Sequence, residues 1–153
     1  MNVQELLNKC VLCWLATANK KGEPNVSPKE LFLATNTDEI IIANIASPRS
    51  IRNISENPSV CISAINIWTQ KGLQCIGQAK IISPQQIEFK EIEADFRPLC
   101  QGRFRIQHFI KVKVIHKKEI LAPSYFFYPN TCEKDQIIAA RSRYFNIKGE
   151  ENV

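Results

Sequence analysis

Apolar and polar positions divide the chain into short hydrophobic runs separated by polar turns. Val3 to Lys9 suits one or two turns of helix, and Val11-Leu-Cys-Trp-Leu-Ala-Thr17 has the apolar density of a buried strand. Asn19 to Glu23 reads as a turn, 24–33 as a second strand, Asn36-Thr-Asp38 as a turn, and Glu39 to Asn44 as a third strand. A helix is expected over 48–56, ended by Pro58, before a fourth strand from Val60 to Ile65. Leu73 to Ile82 predicts a fifth strand, with Gln74, Gln78 and Lys80 on one side by period-two alternation. Ser83-Pro-Gln-Gln86 places serine at N-cap, proline at N1 and glutamine at N3 of a second helix reaching about Phe96. Ile110, Val112 and Val114 alternate with Lys111 and Lys113, which predicts a sixth strand with one buried and one basic face. Leu121 to Pro129 is too aromatic for a free linker and is expected to pack across the sheet or against a partner. A last helix follows from an Asn130 to Glu133 cap to about Phe145.

Closely spaced strands with short turns and no β-α-β rhythm imply an α+β, mainly β protein: a six-stranded antiparallel barrel with short inserted helices and a C-terminal helix. The expected organisation is one domain over 1–153. No strand is followed by a glycine-rich turn, which argues against a Rossmann fold or a P-loop.

Composition changes this picture little, with 44% hydrophobic and 23% charged residues as in ordinary globular chains. The net charge of +5 suits anionic small molecules or a polyanion, but it lacks the concentrated basic stripe of a nucleic-acid binder, and an ordinary solvated surface is the better reading of it. Lys111, Lys113, Lys117 and Lys118 could track a phosphate backbone, but exposed lysines also protect strand edges, so nucleic acid is not expected. No apolar stretch approaches the roughly 18 residues of a membrane span. The N-terminus lacks a basic region followed by an apolar core, so a reducing cytoplasm and free thiols are expected, with no membrane association.

Cys10 and Cys13 form a CxxC, yet no second pair at similar spacing accompanies it, and it falls where a helix feeds into a strand. These cysteines read as small core residues, and no metal is expected. His108 and His116 have no nucleophile motif nearby. The stretch "ANIASPRSIRNISENP", residues 43–58, carries the stronger signal. With Ser47 at N-cap and Pro48 at N1, the backbone N–H groups near Arg49, Ser50 and Ile51 are the free donors of a helix N-terminus, where a phosphate is favoured. Arg52 and Asn53 share Arg49's side of the helix, while Ile51 and Ile54 pack inward. Local pattern alone leaves a plain capped helix and an anion seat equally open.

Context favours the seat. The segment "CWLATANKKGEPNVSPKELFLATNTDEIIIANIASPRSIRNISENPSVCIS", followed by "GLQCIGQAKIIS", resembles the pyridoxamine 5'-phosphate oxidase-like family of FMN-binding split barrels. The likeness covers about residues 10–83: an Ala-Thr strand, a Gly-x-Pro-x-Val turn and strand, a third strand entering a short basic helix, Asn-Pro before strand four and Gly-x-Ala in strand five. The resemblance implies a homodimer with FMN at the subunit interface. It places Ser27, Pro28, Lys29 and Glu30 along the isoalloxazine, Ala43 and Asn44 beside the ring or ribityl chain, and Arg49 and Ser50 on the phosphate with Asn53 nearby. Gln74 would reach the flavin of the opposite subunit. The chain departs from the oxidases themselves, which have Ser-Arg-Lys where it has Pro48-Arg49-Ser50, and their basic C-terminal signature is not recognisable in Arg141 to Phe145. Oxidation of pyridoxamine phosphate therefore does not follow. The expected function is that of an FMN-dependent oxidoreductase acting on a small-molecule redox substrate. The alternatives are a non-catalytic flavin-binding or sensing module and a haem-handling split barrel.

Overall fold

The computed structural model describes residues 3–146. The elements run α1 (Val3–Leu7), β1 (Cys13–Ala18), β2 (Pro24–Lys29), β3 (Phe32–Asn36), β4 (Glu39–Asn44), α2 (Pro48–Glu56), β5 (Ser59–Asn66), β6 (Lys71–Ile82), α3 (Ile87–Cys100), β7 (His108–Leu121), α4 (Ser124–Phe127) and α5 (Glu133–Asn146). The strands form one sheet in the order β2-β1-β5-β6-β7-β4-β3 with antiparallel neighbours.

The sheet has seven strands where six were expected, because 24–33 is not one strand. It breaks at Glu30-Leu31, and its halves lie at opposite edges of the sheet, β2 beside β1 and β3 beside β4. This connection dictates the curvature. Laid flat, seven strands would separate the edges by roughly 29 Å at ~4.8 Å per strand. Three chain steps from Lys29 to Phe32 span at most about 11 Å. The sheet must curl until its edges approach, leaving an unpaired seam: a split barrel. The Ala43 N–H donates to the Leu31 carbonyl (2.9 Å), which holds the crossing chain against β4.

Two apolar clusters lie on opposite faces of the sheet. Inside, Leu15, Ile40, Ile42, Ile62, Leu73, Ile110 and Val112 pack with Val3 and Leu7 of α1. Outside, α3 lays Phe89, Ile92 and Phe96 over Ile41, Ala43, Ile82 and Phe109. The unbroken Ile40-Ile-Ile-Ala43 run is thereby explained, since β4 is buried on both faces.

Boundaries differ from expectation in several places. The first strand starts at Cys13, and Val11 is exposed. α3 starts at Ile87 behind an N-cap at Gln86, instead of at Pro84 behind Ser83, because the Ser83 N–H donates to Gln86 Oε1 (2.6 Å) and the Gln86 N–H to the Ser83 carbonyl (3.0 Å), closing a turn before the helix. It then continues past Phe96 through Pro98 to Cys100, and stops where Gln101 and Gly102 turn left-handed, at φ 48° and 68°. β7 runs over fourteen residues, well beyond 110–115, because it pairs with β4 on one side and β6 on the other. Opposite Ile76 and Gly77 it carries a bulge, and a Cβ on Gly77 would collide with the Lys113 carbonyl oxygen.

The basic face of β7 is partly neutralised: Lys111 meets Glu39 (3.1 Å) and Glu88 (2.9 Å), and Lys117 meets Asp38 (2.6 Å). The aromatic tail is tied down at Tyr125, whose hydroxyl donates to the Thr69 carbonyl (2.7 Å), while Phe126, Phe127 and Tyr128 stay exposed. No helix among the described residues is long and apolar enough to cross a membrane.

Candidate functional site

Strand alternation builds the site. On β2, Pro24, Val26 and Pro28 point outward, and Asn25, Ser27 and Lys29 point inward toward α2. Ser27 and Lys29 therefore lie on the opposite side of β2 from Pro28, and Glu30 lies just beyond the strand's end. The Ser27 and Ser50 hydroxyls are hydrogen-bonded at 3.1 Å, and Asn25 Nδ2 donates to Ser50 Oγ at 3.4 Å. Ser50 is fully buried, so its hydroxyl serves this cluster and does not face solvent. One turn later Asn53 is also buried and donates to Thr17 Oγ1 (3.0 Å), which fixes the helix on β1. Arg49 and Arg52 are exposed.

Ser47 stands at the N-cap of α2, as expected, but its side chain makes no cap hydrogen bond. Its hydroxyl accepts from Lys29 Nζ at 2.6 Å instead. Lys29 is buried, at 6% exposure, and also reaches Asn44 Oδ1 at 3.5 Å. The hydroxyl is turned to Lys29, and the first N–H groups of the helix go without it. The consequence is a helix N-terminus whose donors keep their positive field free for a ligand. Proline at the first position supplies no N–H of its own.

Beside that terminus opens a cleft of about 460 Å³, lined by Pro28, Lys29, Glu30, Leu31, Ala43 and Ser47 on one side and by Leu99, Cys100, Gln101, Arg103 and Phe104 on the other. Its size and mixed apolar and polar walls suit a small organic ligand. A second cavity of about 310 Å³ lies across Ser47, lined by Asn44, Ile51, Gln107 and His108 among others, and His108 Nδ1 is buried there without a hydrogen-bond partner among the described residues.

Of the residues singled out from sequence, Pro28, Lys29, Glu30 and Ala43 line the cleft, Asn44 is reached by Lys29, Arg49 is exposed on the first turn of α2, and Ser27 and Ser50 are bonded to each other. Asn53 lies underneath as support. Gln74 does not join them: on the outer face its row runs Pro28, Trp14, Ser63, Gln74, three strands or ~14 Å across. Sequence reasoning missed the wall formed by 99–104, whose only signal was Gly102 after a helix that appeared to end earlier. It also missed Asn25 and Thr17, which hold α2 through side-chain contacts with no local pattern.

Neither cysteine of the CxxC lines the cleft. Cys13 is buried and its thiol is pushed up to about 12, mainly by burial, with Lys29 acting against it. Cys10 is half-buried and donates to the Leu6 carbonyl. The six cysteines are free, and no group of three or more His, Cys, Asp or Glu among the described residues is placed to hold a metal.

A curled antiparallel sheet with an open seam, a helix N-terminus left uncapped at one end and a cleft beside it make this a split-barrel fold. The family model described as pyridoxamine 5'-phosphate oxidase matches residues 1–113, and the chain belongs to this family. Among solved structures it is similar to an FMN-binding protein from Syntrophomonas wolfei (16% identity, 79% of this chain and 85% of that one, TM-score 0.66). It is likewise similar to HupZ from Group A Streptococcus (20% identity, 78% and 92%, TM-score 0.65). A third similar structure is HutZ, the haem storage protein from Vibrio cholerae (19% identity, 79% and 95%, TM-score 0.61). At these identities the likeness is one of fold. No curated protein matches the chain.

Proposed function

We propose that this protein binds FMN and works as an FMN-dependent oxidoreductase, passing electrons between a reduced donor and a small acceptor. The observation that carries the reading is the N-terminus of α2, uncapped because Ser47 serves Lys29, with Arg49 exposed beside it and the cleft adjoining. A phosphate ester suits those donors and that guanidinium. A planar ring suits the apolar walls of Leu31, Ala43, Leu99 and Phe104. When bound, FMN supplies the redox chemistry, and the protein supplies binding, orientation and electrostatics. That division agrees with a site holding no nucleophile and base pair among its described residues. The FMN-binding neighbour from Syntrophomonas wolfei supports the cofactor by analogy.

The same reading includes a homodimer in the cytoplasm. α3 covers the outer face of the sheet over β4, β7 and the Ile82 end of β6 but leaves it bare over β1, β5 and the first half of β6, where a row of paired positions runs Val26, Ala16, Cys61, Ile76. Trp14, Val26, Ile65, Ile76 and Ile115 are exposed on and around this row. An apolar sheet face of this kind suits contact with a second copy, and Gln74 lies on the same face. Light scattering is expected to give twice the 17.5 kDa chain mass, and Ile76→Asp to give a monomer. A wild-type protein monomeric at every concentration contradicts the dimer.

The test of the cofactor is absorbance. Purified protein titrated with FMN is expected to show a bound-flavin spectrum that bleaches with NADH or NADPH and recovers with an acceptor. A spectrum that forms but never bleaches supports a flavin-binding or sensing module. The likeness to HutZ favours haem as the competing ligand, and saturable haem binding with no FMN uptake would replace the flavin reading.

A further inference from the structure

Lys29 is 6% exposed, and none of the hydrogen-bond partners of its ammonium among the described residues is a carboxylate. Its hydrogen bonds go to two neutral oxygens, Ser47 Oγ and Asn44 Oδ1. The remaining group acting on it is the Cys13 thiol, its register partner on β1. That thiol is pushed up to about 12, mainly by burial, and so stays neutral. A buried ammonium without a counter-charge is costly, and desolvation pulls the pKa of Lys29 below that of ordinary lysine. An ammonium has three protons to donate, and two are engaged. Lys29 also lines the cleft of about 460 Å³, so the missing negative charge has a place from which to arrive.

We propose that Lys29 is the charge-selecting residue of the cleft, holding a ring more tightly when the ring carries negative charge than when it is neutral. The inference rests on FMN as the occupant. Reduction of FMN by two electrons adds one proton at N5 and leaves one negative charge on the N1 and C2-carbonyl region, the electrons coming from an external reductant such as dithionite. Lys29 then stabilises the reduced anion more than the oxidised ring, and the bound flavin becomes easier to reduce. Arg49 at the helix terminus holds the phosphate in both states equally and has no such effect.

Anaerobic dithionite titration against a reference dye measures the midpoint potential of bound FMN in wild type, Lys29→Met and Lys29→Arg. Lys29→Met is expected to cut the ratio of reduced-state to oxidised-state affinity by about tenfold or more, a fall of about 30 mV or more for a two-electron couple. Lys29→Arg, which keeps the charge, is expected to stay within about threefold of wild type on the same scale. Lys29→Gln, run in parallel, supplies the neutral variant with a polar tip in case Met disturbs the Ser47 and Asn44 contacts. Equal potentials in wild type and the neutral variants, with FMN still bound, overturn the role of Lys29 and leave FMN binding intact. No FMN uptake by wild type overturns both together.

Discussion

Arg49→Ala is expected to weaken FMN binding by about 10- to 100-fold while changing riboflavin binding by less than about twofold. The two ligands share the ring and ribityl chain and differ in the phosphate, so their comparison isolates the anion seat. A hydrogen bond to a charged group contributes about 1.5–3 kcal/mol, and each 1.4 kcal/mol is tenfold in affinity. Arg49 is exposed, so water and salt screen it and the effect falls toward the lower end, shrinking further as ionic strength rises. The helix terminus itself is untouched by the substitution and keeps a residual preference for FMN. Quenching of flavin fluorescence measures both affinities, and equal losses for FMN and riboflavin would remove Arg49 from the phosphate.

Phe109→Ala is expected to destabilise the fold by about 3–5 kcal/mol, the cost of emptying a fully buried aromatic site. Phe109 has no exposed surface and sits between Phe89 (ring centroids 4.8 Å apart) and Phe96 (5.0 Å). Those two rings are how α3 grips the sheet. At about 2–4 °C per kcal/mol for a chain of this size, the melting temperature should fall on the order of 10 °C. Because Leu99, Cys100, Gln101, Arg103 and Phe104 form the far wall of the cleft and continue from α3, ligand affinity should fall as well. Urea unfolding of the ligand-free protein separates the two effects. A loss below about 1 kcal/mol would mean that α3 is held by something other than this aromatic stack.

Much of the fold is legible where periodicity is strong and local. The alternation of Ile110, Val112 and Val114 with lysines, and the shared side of Gln74, Gln78 and Lys80, reappear in the burial of β7 and β6. Ile54 turns inward from α2 as its spacing requires. The break at Glu30-Leu31 was not legible, because no glycine or proline marks it and both flanks read as strand. Only the pairing of β2 with β1 and of β3 with β4 separates them. The start of α3 was misplaced for a related reason. Ser83-Pro84 has the composition of a helix start, but Gln86 reaches back to the Ser83 N–H from a turn, a choice between nearly equal local structures.

The candidate site divides along the same line. The sequence by itself determined the residue types and the order of elements: a β-rich chain, a Ser-Pro helix start with arginine behind it, and polar residues alternating on the strand before it. These follow from side-chain period and backbone propensity, which act over a few residues. The tertiary structure alone decided that the Ser47 hydroxyl answers Lys29 and leaves its helix uncapped, that Ser50 is buried against Ser27, and that 99–104 closes the cleft from the other side. Each depends on residues far apart in the chain meeting in a curled sheet, and competition for a hydrogen-bond acceptor is settled only when every competitor is in place.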